Sequence, residues 1–329
     1  NATTTGFPPW KRIELSEKVR EGVPHCCGIT HVTQTKIHPN TPTMIKGGCG
    51  VLGRTTYGFS RSSFATSSVS AAEVAKFDAW REAWWDARRN PLVGMNPVRI
   101  RFLMETLLQE EEEVSDQPPL PLEERKVLDV GCGGGLLSES LARLGARVTG
   151  LDPSRELVDV ARQHAQHHPL TRTIDYRGGV TVEELAKESN DDDDGESFDV
   201  ICVLDVLEHV TDGDSLLRAA ASLLKPDGIL FVSSLNRTIK SYLLAILGAE
   251  YVMGYVPVGT HEWAQFLPPD KVATWVKRHG LAQVQVKGMV ATAPPPIGNW
   301  NWKLDPVDTQ VNWIGAYRRR HEAHDAIHK

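Results

Sequence analysis

The segment that most constrains the fold of this chain is Val127–Gly135, where an apolar run leads directly into a loop of closely spaced glycines. A second apolar run ends soon afterwards in Asp152. Glycines let the backbone turn sharply and approach a ligand, and the helix after such a loop presents unpaired N–H groups. A carboxylate at the tip of the neighbouring strand can accept two ribose hydroxyls. The pattern therefore predicts a nucleoside cofactor site in an α/β fold.

Two residues near the loop indicate which cofactor binds. A dinucleotide fingerprint that begins at Gly131 has a glycine at its sixth position, where this chain has Leu136. Asp129 would repel a pyrophosphate, whereas a cationic ligand without phosphate, such as S-adenosylmethionine, tolerates it. We therefore predict S-adenosylmethionine rather than NAD, with Asp129, Gly131, Gly133 and Asp152 as cofactor-binding residues. A purely structural glycine turn is the remaining alternative.

From residue 72 onward the apolar pattern alternates between helical and strand periodicities. Helices are predicted over 72–85, 96–108 (entered through Pro97), 135–144, 156–166, 182–187 and 215–224, and from near Pro269. Strands are predicted over 127–130, 147–151, 173–177, 198–203 and 229–233. This alternation is typical of a doubly wound, Rossmann-like parallel sheet, which binds ligands at the carboxyl ends of its strands.

Charge is unevenly distributed along the chain. The net charge of -6 argues against a nucleic-acid partner held by bulk positive charge. Residues 1–70 nevertheless carry eight Lys/Arg and three acids, and residues 54–68 are basic, rich in hydroxyls and free of acids. This composition predicts a mitochondrial transit peptide, with a plain disordered arm as the alternative. The five cysteines lack paired metal spacing, and no run of 18 apolar residues predicts a membrane span.

Asp205, Glu208 and His209 follow the fourth predicted strand at spacings of i, i+3 and i+4. On a helical turn these side chains share one face and can converge on a divalent cation. Mg²⁺ is the leading candidate, with Zn²⁺ or Mn²⁺ as alternatives because of the imidazole. A metal would lower the pKa of a catechol oxygen that attacks the methyl group. His209 could instead act as a metal-free general base, or the residues could be structural.

A long insert, 236–267, follows the last predicted strand of the parallel series. Its Tyr242–Val256 part is largely apolar, and Arg237 and Lys240 stand at its entrance. Such a segment could lie at a membrane interface, cover an apolar substrate, or form an ordinary buried helix. Residues 259–263 could close the pocket.

A collinear series of motifs makes residues 72–320 resemble the ubiquinone-biosynthesis O-methyltransferases. The motifs that carry the resemblance are Trp84–Asp86, Met95–Arg99, Asp129–Gly135, Gly150–Pro153, Leu207–Val210, Leu235–Arg237, Gly248–Tyr251, Val256–His261 and Val311–Trp313. The glycine loop is shared with many methyltransferases, whereas the Trp-Trp-Asp, Asn-Pro-x-Arg and Gly-Thr-His segments together are more specific.

The resemblance implies O-methylation of polyprenylated catechols, namely polyprenyl-dihydroxybenzoate and demethylubiquinol, with S-adenosylmethionine as the methyl donor. It implies a class I methyltransferase domain over 71–320 with a mostly parallel seven-stranded sheet, N-terminal helices and a tail at 321–329. It further implies peripheral attachment to the matrix side of the inner mitochondrial membrane, within a complex of ubiquinone-biosynthesis proteins. The insert then has a function in contacting the membrane or the lipid tail.

Site residues follow from the same resemblance. Arg99, Gly131, Asp152 and Leu204 match the family's cofactor positions, and Arg99 can pair with the cofactor's carboxylate. Asp205, Glu208 and His209 match its metal positions, with Glu208 and His209 also predicted to be catalytic. The chain departs from the family pattern at Asp205, where a glutamate is expected, at Trp313, and in the acidic run 191–194. Two other functions stay open: methylation of a different small acceptor, and a non-catalytic lipid-docking scaffold that binds the cofactor.

Overall fold

The computed structural model describes residues 68–108, 120–191, 195–244, 246, 262–293 and 301–319. The predicted transit segment, apart from residues 68–70, lies outside the described residues, as do the tail 321–329, residues 192–194 of the acidic run, and 245 and 247–261 of the insert. The described residues all belong to one compact unit, Ser63–Lys329.

Helices and strands alternate through most of the described chain. The helices are α1 (Ala71–Asp78), α2 (Pro91–Leu108), α3 (Leu136–Arg143), α4 (Arg155–Ala165), α5 (Val182–Asp191), α6 (Gly213–Ser222), α7 (Ile239–Ser241) and α8 (Pro269–Arg278). The strands are β1 (Lys126–Val130), β2 (Arg147–Asp152), β3 (Asp175–Gly178), β4 (Phe198–Leu204), β5 (Leu224–Leu235), β6 (Leu281–Ala293), β7 (Asn301–Asp305) and β8 (Asn312–Arg319).

The described strands form one sheet in the order β3-β2-β1-β4-β5-β8-β6-β7. The first five are parallel, while β8, β6 and β7 add antiparallel pairings. The expected α/β, Rossmann-like methyltransferase fold is confirmed, but the sheet has eight strands rather than seven. Periodicity along the chain did not locate the three C-terminal strands. The preference of a segment for a strand depends on packing against the neighbouring strands, which the local sequence does not report.

Helices cover both faces of the sheet, as the continuous apolar strands require. Along β5, Phe231 packs into the cluster formed with α2, α3 and α4, whereas Leu230 packs into the cluster formed with α5, α6 and α8. The neighbouring side chains of β1, Val127 and Leu128, divide in the same way. Two hydrophobic layers therefore fix the sheet and align the carboxyl ends of its central strands.

Several predicted boundaries require correction. The predicted helix over 72–85 ends at Asp78 and is followed by a separate short 3-10 turn, Arg81–Ala83. The second helix begins at Pro91 instead of Asn96, and Pro97 lies inside it. Proline is favourable in the first turn of a helix, and Pro91 rather than the predicted Pro97 occupies that position. The fifth strand begins at Leu224 rather than at residue 229, because residues 225–228 belong to an irregular part of β5.

Candidate functional site

The glycine loop after β1 adopts backbone conformations that favour glycine. Gly131, Gly133 and Gly135 have φ values of 72°, 51° and 88°. A Cβ atom at Gly131 would lie 2.5 Å from a methyl carbon of Val206, and one at Gly133 would lie 2.2 Å from the ring of Trp84. The loop therefore combines left-handed backbone with close packing, which side chains would prevent.

Asp152, at the carboxyl end of β2, holds the loop in place. Its two carboxylate oxygens accept hydrogen bonds from the backbone N–H groups of Gly133, at 2.9 Å, and Ser154, at 2.8 Å. Burial raises the pKa of Asp152 to about 6, although these two hydrogen bonds favour the ionised form. The carboxylate thus lies beside the glycine loop, as the sequence predicted.

Asp129 lies beneath the loop near the end of β1. Its side chain is buried and accepts a hydrogen bond of 2.5 Å from Ser138 Oγ. Burial raises the pKa of this carboxyl to about 7, against the opposing effects of Ser138 and the Arg99 charge. Asp129 is therefore a buried acid whose neutral form is favoured by burial, an effect that the guanidinium of Arg99 partly opposes.

Arg99 and Leu204 approach the same region from α2 and β4. The buried Arg99 side chain forms an ion pair with Asp205, and its Nε has no hydrogen-bond partner among the described residues. A buried donor without an acceptor is costly, so this nitrogen suits a ligand carboxylate. Leu204 is buried at the last position of β4.

One cavity collects these residues at the carboxyl ends of the parallel strands. Of the predicted site residues, those that line it are Arg99, Asp129, Gly131, Gly133, Asp152, Leu204, Asp205 and His209. Glu208 is not among the lining residues. Several lining residues were not predicted, including Glu73, Phe77 and Trp84 from the N-terminal segment and Glu183 from α5. Their polar or aromatic character was visible in the sequence, but no spacing connected them to the glycine loop.

The three predicted metal ligands have separate partners. Asp205 pairs with Arg99 and accepts a hydrogen bond from Ser233 Oγ at 2.6 Å. Glu208 accepts one from Ser234 Oγ at 3.0 Å, while Nδ1 of His209 lies 3.1 Å from Glu73 Oε2.

The described structure therefore does not show the predicted convergence on a metal. In the part of the chain that the structure describes, no group of three His, Cys, Asp or Glu side chains is placed to hold a metal ion. The spacing argument assumed an α-helical turn from Asp205 onward. Instead Asp205 has a left-handed φ of 55°, and only Leu207–His209 form a short 3-10 helix. The three residues therefore do not share one face of an α-helical turn, and each has its own hydrogen-bonding partner.

Burial and charge distinguish Glu208 from its neighbours. Burial, and then the nearby negative charge of Asp205, raise the pKa of Glu208 to about 8.

The pKa of Glu73 is shifted in the opposite direction. Burial would raise the pKa of its carboxyl, but hydrogen bonds from Lys76 and His209 hold that pKa below its usual range. The ionised Glu73 therefore stands beside the imidazole in the cavity wall.

The N-terminal segment forms part of the cavity wall and is fastened to the core. Val69 forms a β-bridge with Val210, and the Ser68 carbonyl accepts a hydrogen bond of 2.8 Å from the Thr211 N–H. Trp85 Nε1 donates to the Gly134 carbonyl at 3.0 Å. Residues 68–85 therefore close the cavity from the N-terminal side.

The start of the predicted apolar insert is exposed. Ile239 is 77% exposed, and Tyr242, Leu243 and Leu244 are between 41% and 53% exposed. Lys240, at the entrance, pairs with Asp308 at 2.6 Å. Among the described helices, none has the length and apolar character needed to cross a membrane. Residues 259–261, predicted to close the pocket, lie outside the described residues.

Comparison with known proteins adds independent information. A family model described as a methyltransferase domain matches residues 99–286. The ubiquinone biosynthesis O-methyltransferase of Cereibacter sphaeroides is 43% identical over 255 residues, covering 77% of this chain and 97% of the relative. The protein of the same name from Roseobacter denitrificans is 42% identical over 252 residues, covering 76% and 96%.

The solved structures support the fold. Magnesium protoporphyrin IX methyltransferase from Synechocystis, with bound S-adenosylhomocysteine, matches with a TM-score of 0.50 and 23% identity, covering 75% of this chain and 95% of that one. At this level of identity the likeness concerns the architecture alone.

Proposed function

Because the chain belongs to the ubiquinone biosynthesis O-methyltransferases, and is thus an S-adenosylmethionine-dependent O-methyltransferase, we propose that it methylates polyprenylated catechols. The acceptors would be polyprenyl-dihydroxybenzoate and demethylubiquinol. The observation that carries this proposal is the single cavity in which the cofactor residues meet Asp205 and His209. The proposed methyl-donor site and the imidazole of His209, which can accept a proton, therefore line the same cavity.

Methyl transfer needs an electron-rich oxygen, and a protonated phenol is a poor nucleophile. In the proposed reaction His209 takes the proton of one catechol hydroxyl while the oxygen attacks the sulfonium methyl carbon. The new C–O bond forms as the C–S bond breaks, which leaves a methyl ether and S-adenosylhomocysteine. The ionised Glu73 beside His209 stabilises the imidazolium until its proton passes to solvent.

The metal-assisted route is the other mechanism that the sequence suggested. It requires Asp205, Glu208 and His209 to converge, so no step is assigned to a cation here. Assays with labelled S-adenosylmethionine and a short-tail prenyl catechol, with and without a chelator, separate the two routes. Activity that survives chelation supports His209 as the base, and activity that a chelator abolishes and Mg²⁺ restores would contradict it.

Variants test the same proposal. His209→Asn should lower kcat by roughly 10²- to 10⁴-fold, the usual contribution of a general base, while binding of S-adenosylhomocysteine persists. Absence of product with any prenyl or soluble catechol, despite intact cofactor binding, would favour the scaffold function. Preference for a soluble catechol over a prenylated one would favour a different acceptor.

We further propose that the exposed apolar side chains at the start of the insert contact the membrane surface that holds the substrate. Arg237 is exposed next to them, which suits an anionic lipid surface. Replacing Leu243 and Leu244 with serine should reduce flotation with anionic phospholipid vesicles by about tenfold. Val307→Ser, at an 83% exposed residue outside this patch, is the control.

Location and partners are proposals of the same kind. The basic, hydroxyl-rich composition of residues 54–68 supports import into mitochondria, and a lipid-tailed substrate supports a site on the matrix face of the inner membrane within a biosynthetic complex. A reporter fused to residues 1–70 tests import, and co-purification of the full chain from mitochondrial membranes tests the complex.

A further inference from the structure

Glu183, in the first turn of α5, is a carboxylate in the cavity wall that the proposed reaction does not use. Its Oε1 accepts a hydrogen bond of 2.5 Å from Ser68 Oγ, and the Ser68 side chain is itself buried. Its Oε2 is buried and has no hydrogen-bond partner among the described residues. A buried acceptor without a donor is costly, which points to a donor on the ligand.

The sheet order places Glu183 at one end of the cofactor. In the series β3-β2-β1-β4, Asp152 ends β2, Gly131 follows β1 and Leu204 ends β4. The Gly179 N–H donates to the Asp152 carbonyl at 2.8 Å, which ties the segment leading to Glu183 to the tip of β2. A cofactor with its ribose on Asp152 and its amino acid group near Gly131 and Arg99 therefore extends its base toward β3 and α5.

The walls at that end suit a purine. Val180 and Val182 line the cavity beside Glu183, and Leu157 lines it from α4. These side chains can pack on the faces of an adenine ring, while its exocyclic amine supplies N–H donors at the ring edge.

We infer that Glu183 selects the adenine base, with its Oε2 accepting a hydrogen bond from the exocyclic amine. Ser68 holds the other carboxylate oxygen and so sets the direction of the group. The inference rests on binding of the cofactor in this cavity, which titration with S-adenosylhomocysteine tests separately. Glu183 is thereby a specificity-determining residue for the methyl donor.

The test compares two ligands on the full-length protein by calorimetry. S-adenosylhomocysteine carries the amine, and S-inosylhomocysteine carries a carbonyl oxygen in its place. The unchanged protein should prefer the adenine ligand by roughly 10- to 100-fold, as expected for loss of a hydrogen bond to a charged group. Glu183→Gln should reduce this preference to within about threefold, because its amide can donate to the carbonyl oxygen.

Two further variants make the result decisive. Glu188→Gln, at an exposed position of the same helix, should keep the preference of the unchanged protein. Ser68→Ala, which frees the carboxylate to turn, should reduce the preference by at least about threefold and tests the inference if Glu183→Gln does not fold. An unchanged preference in Glu183→Gln and Ser68→Ala, or an equal loss of affinity for both ligands in these two variants, would overturn the inference. Failure of the unchanged protein to bind S-adenosylhomocysteine would instead count against the proposed function.

Discussion

At the scale of single residues, the site depends on positions where only one side chain fits. Gly133 combines a left-handed φ of 51° with the ring of Trp84 directly over its Cα. Gly280 has a similar positive φ of 80°, yet no atom lies within 4 Å of the place where its Cβ would stand. Replacing each glycine with alanine therefore distinguishes the two effects: both variants suffer backbone strain, but only the Gly133 variant also suffers a steric clash.

We expect Gly133→Ala to reduce affinity for S-adenosylhomocysteine by at least about tenfold, since the Trp84 ring must move and disturb the loop. Gly280→Ala should cost a comparable amount of backbone strain but leave cofactor affinity within about twofold. Calorimetric titration of both variants measures the difference. Equal affinities in the two variants would show that packing on Trp84 does not shape the loop.

Asp129 gives a second prediction at this scale. Its raised pKa means that the folded state holds a proton that the unfolded chain has already released, so stability falls as the pH rises from about 4 to about 7. Asp129→Asn removes this dependence. The free energy of unfolding of the variant, relative to the unchanged protein, should increase by on the order of 3 kcal/mol between about pH 4 and pH 8.

Asp199 provides the matched control for that measurement. Burial would raise the pKa of its carboxyl, but hydrogen bonds from Lys225 and the Lys126 N–H hold the pKa below its usual range. Its contribution to stability is therefore constant above about pH 5 and is lost only as the pH falls. Urea unfolding of Asp199→Asn should show a pH-independent loss of stability between about pH 5 and pH 8. The same flat profile for Asp129→Asn would contradict the predicted role of burial.

At the scale of elements, the N-terminal segment and the glycine loop act as one unit. Trp85 lies between the loop and α4, where its ring stacks on His164 with the ring centres 3.5 Å apart. Its N–H donates to the Gly134 carbonyl, and His164 contacts the buried Glu139 of α3 at 2.6 Å. The position of the loop therefore depends on a segment that precedes both α2 and β1 in the chain.

Trp85→Phe should weaken binding of S-adenosylhomocysteine by about three- to tenfold, since it removes the hydrogen bond to Gly134 and keeps an aromatic ring against His164. Trp80→Phe changes a neighbouring indole of the same apolar cluster and should alter that affinity less than twofold. Fluorescence or calorimetric titration distinguishes them. Equal effects of the two substitutions would mean that the Gly134 contact does not hold the loop.

At the scale of the whole molecule, β8 joins the parallel and antiparallel halves of the sheet. It pairs with β5 on one side and β6 on the other. Trp313 on β8 is fully buried, and its Nε1 donates to the Leu267 carbonyl at 2.8 Å. The side chain thus connects the C-terminal strands to the segment that leads into α8.

We predict that Trp313→Ala lowers the free energy of unfolding by about 3–5 kcal/mol, because it leaves a large cavity between the sheet and its helices. Trp313→Phe keeps most of the ring volume, leaves the Leu267 carbonyl without its donor, and should cost about 1–3 kcal/mol. Urea denaturation measures both values. Equal costs for the two variants would show that packing volume is not the main contribution of Trp313.

The sequence by itself determined the parallel half of the fold and the juxtaposition of the Gly131 loop with Asp152. These features are local: strand and helix periodicities, glycines that permit a sharp turn, and the rule that parallel strands align their carboxyl ends. Only the tertiary structure decided which side chains share the cavity. The spacing of Asp205, Glu208 and His209 predicted one face of a helix, but the left-handed backbone at Asp205 interrupts that helical turn.

Tertiary structure also placed Glu73 beside His209, Glu183 at the β3 side of the cavity, and β8 between β5 and β6. Each of these contacts joins residues that are distant along the chain. Periodicity and spacing describe the geometry of neighbouring residues, whereas such contacts are set by how the helices and strands pack. The sequence therefore predicted the loop and carboxylate of the candidate cofactor site, and packing decided which distant groups line the same cavity.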